Sequence, residues 1–186
     1  RYYGGHRVDQ VTCIQEVVVK GKQTAGYIVS AVTNSTNGDF AGNHGEYDVW
    51  IFKLNELGDL EWQKCYGGVD ADGVSSIKQT DDGGFIFVGC NNSQDLIFKK
   101  YDAWVVKINN TGDIIWEKTF GGIDNEDFVA IDYSSDGGYY IAGWSTSPEI
   151  IGESGGYKGI DPWVVKVSTG GDVEWQKPWG GNSHDL

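Results

Sequence analysis

A Gly-Gly pair recurs along the chain at Gly4-Gly5, Gly67-Gly68, Gly121-Gly122 and Gly180-Gly181, with starts 63, 54 and 59 residues apart. Ahead of the last three pairs runs one text: Asp-x-Trp, an apolar pair and Lys, then Gly-Asp-x-x-Trp-x-Lys. It reads DVWIFK…GDLEWQK, DAWVVK…GDIIWEK and DPWVVK…GDVEWQK. A period of this size, built from short strand-like segments, points to a propeller or a comparable array. The units run approximately 4–66, 67–120 and 121–179, while residues 1–3 and 180–186 belong to flanking units on this reading.

Charge narrows the choice of partner. Asp and Glu number 27 against 14 Lys and Arg, a formal charge of −13. Such a surface repels phosphate backbones, so nucleic acid is excluded as an expectation, whereas cations are attracted. The apolar runs are a few residues long, far short of the ~20 that span a bilayer, so the chain is expected not to be membrane-spanning. No stretch keeps a 3.6-residue apolar period. The chain opens at Arg1 and contains no Met, which suggests an excerpt of a longer one. The three cysteines stand at non-equivalent points of the repeat: Cys13 aligns with Ser76 and Ala130, and Cys65 with Thr119 and Pro178. A shared disulfide frame would repeat, so Cys13, Cys65 and Cys90 are expected to be buried free thiols.

The second unit is the cleanest to read. Val74–Gln79 is short and β-like, Asp82-Gly83-Gly84 is a turn signal, and Phe85–Gly89 is an apolar strand. Asp102–Asn109 and Asp113–Phe120 follow, joined by Asn110-Thr111-Gly112 with glycine at a position of positive φ. That gives four strands per unit. Trp104, Val106 and Ile108 share one face and Val105 the other; Ile114, Trp116 and Phe120 oppose Ile115. Apolar groups on both faces suit a sheet held between two neighbours, the situation of a propeller blade. The first unit departs at Val18–Ala25, with five extra residues before Gly26, so its first hairpin is expected to be distorted. The stretches Thr33–Tyr47, Asn91–Tyr101 and Ser145–Ile160 vary in length and composition, and variable loops on a constant scaffold are where binding resides.

The segments QTDDGGFIFVG, YSSDGGYYIAG, DAWVVKINNTGDIIWEKTFGG and DPWVVKVSTGGDVEWQKPWGG resemble the Trp- and Gly-rich repeats of secreted bacterial surface β-propellers. The resemblance covers nearly the whole chain. It implies an all-β fold, about three four-stranded antiparallel blades of a β-propeller, and a secreted or cell-surface location; it implies no catalytic activity. A weaker resemblance is to the Asp-box of sialidase-like propellers, matched in front by Thr80-x-Asp82-x-Gly84 and Ser134-x-Asp136-x-Gly138, with Phe87 and Ile141 where that motif has Trp. The Asp-box fixes a turn and names no catalyst.

Several groups of residues are candidates for chemistry. The loop Asn34–Asp48 gathers Asn37, Asp39, Asn43, His44, Glu46 and Asp48. Ca²⁺ takes six to eight oxygens from a loop that wraps it, so Asn37, Asp39, Asn43 and Asp48 are the candidate metal ligands; a polar loop held by Asx turns is the alternative. A carboxylate recurs five residues after each first glycine, at Asp9, Asp72, Glu126 and Asp185. Its repetition favours a local role, accepting N–H bonds from its own connector, over a ring that holds a cation or a basic partner. Asp48, Asp102 and Asp161, each two before a Trp, read as carboxylates at strand starts. Phe40, Tyr101 and Tyr157 lie in variable loops and are the candidate ligand-stacking rings. No His-x-x-x-His, Gly-x-Ser-x-Gly or phosphate loop is present, and no catalytic residue is assigned. The leading expectation is a non-catalytic, adhesin-like interaction scaffold outside the cell; the alternative is a glycan-binding or glycan-processing propeller. The partner is a protein or a glycan. Three blades are too few to close a ring, so the rest comes from the parent chain or from a second copy.

Overall fold

Short apolar segments separated by Gly-containing turns cannot sustain helices, and the chain resolves them into strands. The computed structural model describes residues 3–19, 24–38, 42–92, 100–151 and 159–179. Among them run β1 (Asp9–Glu16), β2 (Tyr27–Thr33), β3 (Asp48–Leu54), β4 (Leu60–Tyr66), β5 (Gly73–Gln79), β6 (Phe85–Asn92), β7 (Tyr101–Ile108), β8 (Ile114–Phe120), β9 (Glu126–Tyr133), β10 (Tyr139–Ser145), α1 (Pro148–Ile151), β11 (Asp161–Val167) and β12 (Val173–Pro178). They form three four-stranded antiparallel sheets, each a meander of successive strands: β1-β2-β3-β4, β5-β6-β7-β8 and β9-β10-β11-β12. The Gly-Gly repeat therefore marks one sheet per unit. None of the helices among the described residues is long and apolar enough to cross a membrane.

The turns follow from their residues. Thr80 N donates to the Gly84 carbonyl at 2.9 Å and Gly83 N to the Thr80 carbonyl at 2.8 Å, which closes the β5–β6 hairpin with Gly83 at φ +81°. Asn109 and Asp113 close the β7–β8 hairpin, with Asn109 N donating to the Asp113 carbonyl at 2.9 Å and Gly112 at φ +83°. L-residues rarely reach that region. In the first hairpin, where a distortion is expected, Val17 N donates to the Gly26 carbonyl at 2.8 Å and Ala25 N to the Val17 carbonyl at 2.7 Å, beyond β1 and β2; residues 20–23 lie outside the described residues. Two features were not legible beforehand. The inner pairs β1–β2 and β9–β10 each carry a bulge, between Val11 and Cys13 and between Ala142 and Gly143. The four-residue helix α1 interrupts the third variable loop.

The middle strands are buried on both faces, as their composition requires. Ala103, Trp104, Val105, Val106 and Ile108 are all buried, as are Phe85, Ile86, Phe87 and Val88. The outer strand β8 is not: Ile114 and Ile115 are exposed on opposite faces. It is the edge of its sheet, so cover falls away there. The three cysteines are free thiols, half-buried rather than fully buried.

The chain divides into two compact units, residues 1–87 with 107–115 and residues 88–106 with 116–186, and the second sheet is shared between them. In the first unit, β4 packs across onto the second sheet. Trp62 meets Phe85 and Tyr66 meets Phe87 at centroid distances of 6.2 and 5.3 Å, and the Tyr66 hydroxyl donates to the Gly112 carbonyl at 2.6 Å. In the second unit, Phe120 of β8 meets Phe128 and Trp163 of the third sheet at 5.4 and 6.5 Å. Each contact joins rings of two successive sheets within one unit. Each buried ring contributes on the order of 2–3 kcal/mol.

Candidate functional site

The turn from one sheet's last strand to the next sheet's first strand is held by the recurring carboxylate. Asp9 Oδ2 accepts from Gly5 N at 2.7 Å, Asp72 Oδ2 from Gly68 N at 2.7 Å, and Glu126 Oε2 from Gly122 N at 2.8 Å. The expected local role is therefore filled at three of the four positions; Asp185 lies outside the described residues. In the first and third sheets the other carboxylate oxygen reaches the end of the second strand. Thr33 Oγ1 donates to Asp9 Oδ1 and Ser145 Oγ to Glu126 Oε1, both at 2.7 Å. Two residues on, Ser35 and Ser147 accept from Arg7 N at 3.1 Å and Asp124 N at 2.9 Å. A Ser/Thr-x-Ser step at the strand end thus receives the connector, and this step escaped the sequence reading.

A second carboxylate faces each connector. A Cβ on Gly67 would strike Asp72 Oδ2 and lie 2.5 Å from Asp48 Oδ1; one on Gly121 would strike Asp102 Oδ1 and lie 2.8 Å from Glu126 Oε2. The strand-start aspartate and the connector carboxylate therefore flank the first glycine of the pair, in the same way in both units. Asp48 is fully buried, Asp72 and Glu126 are buried. Burial raises the Asp48 pKa, partly offset by the His44 N–H it accepts at 2.5 Å. Asp102 is pushed up to about 6, first by burial and then by the charge of Glu126. Asp127 is also raised to about 6 by burial, opposed by hydrogen bonds from the Cys90 thiol and the Phe128 backbone. A buried acid beside another acid keeps its proton longer.

The variable loops close over this end. Asn34 Oδ1 accepts from Val8 N at 2.9 Å and Asn37 Oδ1 from His6 N at 3.0 Å. In the third sheet Asn125 N donates to Thr146 Oγ1 at 2.9 Å and Ile123 N to Glu149 Oε1 at 2.5 Å. Asn125 Oδ1 in turn accepts from Tyr101 N at 3.1 Å, which fixes the start of β7. The Tyr101 ring is exposed.

Of the residues singled out as metal ligands, Asn37, Asn43 and Asp48 are described, and each has hydrogen-bond partners of its own. Asn37 turns to His6. Asn43 binds the Thr33 carbonyl at 3.2 Å and accepts from Gly45 N at 3.1 Å, an Asx turn. Asp48 turns to His44, with Nδ1 at 3.2 Å. Asp39, Phe40 and Tyr157 lie outside the described residues; among the described residues no three His, Cys, Asp or Glu side chains gather as a metal group.

The opposite end of each sheet carries a device whose parts were visible but not connected. Lys107, buried in β7, donates to Thr80 Oγ1 at 2.8 Å and to both Asp82 carboxylate oxygens at 2.9 Å. Burial pushes the Asp82 pKa up, but the bonds from Thr80 and Lys107 outweigh it and hold it at about 2. In the third sheet Lys166 pairs with Asp136 and Glu174. In the first sheet, which lacks the Asp-Gly-Gly turn, Lys53 pairs with Glu61 and donates to the Ala25 carbonyl at 3.3 Å. The Asp-box-like turn thus seats the lysine of the Asp-x-Trp strand.

No protein-family model matches the chain, and no curated protein is significantly similar to it.

Proposed function

We propose that the three sheets are blades of a β-propeller array, and that the chain is a non-catalytic interaction scaffold acting outside the cell or at its surface. The observation that carries this reading is the division of labour at the connector end. Repeating polar residues there are spent on the connector itself, through Asp9, Asp72 and Glu126. What remains for a partner is the non-repeating chemistry of residues 34–47, 91–101 and 145–160, of which Asn34, Asn37, Thr146 and Glu149 are tied to the connectors. Binding surfaces built from variable loops on a fixed scaffold follow this plan. The charge of −13 favours a protein partner with a basic face, reached faster at low salt.

An array of cationic peptides and an array of glycans, both probed with the intact chain, separate the readings. Salt-sensitive binding to peptides with no sugar response is the expected result. Tyr101→Ala, removing an exposed ring, is expected to weaken that binding about tenfold or more. Binding to sugars that disappears in Tyr101→Ala would instead carry the glycan-binding alternative, for which the exposure of Tyr101 is the favouring observation.

A further inference from the structure

Two connectors lead from one described sheet to the next, at Gly67 and at Gly121, and each sets its glycine between a strand-start aspartate and a connector acid. They differ in how that negative charge is answered. At Gly121 a lysine answers it. Burial and the Glu126 charge raise the Asp102 pKa, and the Lys100 ammonium draws it back down. Lys100 stands two residues before Asp102 and pairs with Asp124 at 3.4 Å. At Gly67 the position of Lys100 is taken by Glu46 and that of Asp124 by Asp70. An acid has replaced the lysine. The base that meets Asp48 is His44, with Nδ1 3.2 Å from Oδ2 on a half-exposed side chain.

Asp48 is fully buried, and its two oxygens are treated differently. Oδ2 accepts the His44 N–H, whereas Oδ1 has no hydrogen-bond partner among the described residues. Oδ1 is aimed at the connector: it and Asp72 Oδ2 both lie within 2.5 Å of the place a Gly67 Cβ would take. Glycine leaves that cradle unfilled, and Gly67 and Gly68 are themselves exposed, so the connector meets solvent there. A carboxylate oxygen buried without a donor or a counter-charge is costly, and a second carboxylate beside it adds repulsion. The two oxygens converge closely enough for one ion at the ~2.3–2.6 Å that Ca²⁺ keeps from its oxygen ligands.

We propose that this cradle is a cation site, in which Asp48 Oδ1 and Asp72 hold a hard divalent cation of Ca²⁺ size beside Gly67. Glu46 and Asp70 add to the attraction through their charge, and water completes the oxygen shell. The cation does at the first connector what the Lys100 ammonium does at the second. With two carboxylates and a side toward solvent, the site belongs among weak ones, with dissociation constants of about 10⁻⁴–10⁻³ M. Asn37 and Asn43 take no part, since they bond to His6 and to the Thr33 carbonyl. The inference concerns this connector and not what the loops bind.

Calorimetric titration of the intact, chelator-treated chain with Ca²⁺ tests it, beside melting curves in Ca²⁺ and in EDTA. One ion per chain and a melting temperature that climbs with Ca²⁺ concentration are expected. Asp48→Asn, which keeps the shape and removes the charge, is expected to weaken binding about tenfold or more. Glu46→Lys, at an exposed position, supplies the lysine of the second connector. It is expected to abolish the Ca²⁺ response and, in EDTA, to melt no lower than wild type. It also keeps the test open if Asp48→Asn fails to fold. Asn37→Ala is expected to leave the affinity unchanged. A wild type that gives neither heat nor a melting shift overturns the inference, as does undiminished binding in Asp48→Asn or in Glu46→Lys. Binding lost in Asn37→Ala but kept in Asp48→Asn places the ion in the loop and overturns it as well. The peptide and glycan arrays, run in EDTA, report on the loops independently of this site.

Discussion

At Gly67 and Gly121 the backbone runs between two carboxylates, and a methyl group has nowhere to go. Gly67 adds a φ of +143°, which L-residues rarely adopt. Gly67→Ala and Gly121→Ala are expected to destabilise by about 2 kcal/mol or more, read as a lower urea midpoint at unchanged slope; Gly68→Ala, whose Cβ would meet nothing within 4 Å, serves as the control. The paired acids also make stability depend on pH. Asp102 holds its proton up to about 6 in the folded chain, against an ordinary value of 3.8. Between those values the folded state binds more protons than the unfolded state, so this group's contribution falls as pH rises from about 4 to about 6. Asp102→Asn, which keeps the shape and removes the charge, is expected to match the wild type near pH 4 and to exceed it in melting temperature at pH 7. A variant that loses stability equally at both values would show that the carboxylate is not strained by Glu126. Asp82 titrates the other way: held at about 2, it contributes above pH 4 and loses that contribution as pH falls through 2.

The strand is the scale at which the sequence was most readable. Four strands per unit and the Gly112 turn both followed from turn residues and alternation. The carboxylates at Asp9, Asp72 and Glu126 were legible for the same reason, because a residue repeated at a fixed offset from Gly-Gly must serve the connector. The Lys–Asp pair was not. Lys107 and Asp82 are 25 residues apart, and the first unit breaks the correspondence by using Glu61 with Lys53. Only sheet geometry brings the end of β7 beside the β5–β6 turn. The bulges at Val11/Cys13 and Ala142/Gly143 left no local signal, since twist rather than composition sets them. The pair can be tested directly. Asp82→Ala leaves the buried Lys107 ammonium with Thr80 Oγ1 and the Ile108 carbonyl alone and, because Asp82 is exposed, is expected to cost about 1–2 kcal/mol. Lys107→Met combined with Asp82→Ala is expected to recover part of that loss, because an apolar chain needs no partner. Equal or greater loss in the double variant would show that the two residues act independently.

For the molecule as a whole, stability comes from burying sheet faces against one another. Phe87→Ala removes a fully buried ring at the contact with Tyr66 and is expected to cost about 3–5 kcal/mol, measured by chemical denaturation. Ile14→Asp, at an exposed position, is expected to leave the melting temperature within about a degree or two of wild type. Every strand in the three sheets pairs with its neighbour in sequence. Among the described residues, no hydrogen-bonded ladder therefore threads from one Gly-Gly segment into another. A segment such as 67–120 can be duplicated or excised at the glycines without re-wiring any sheet, so a gain or loss of repeats would lengthen or shorten the protein in whole modules and leave each module's folding instructions intact.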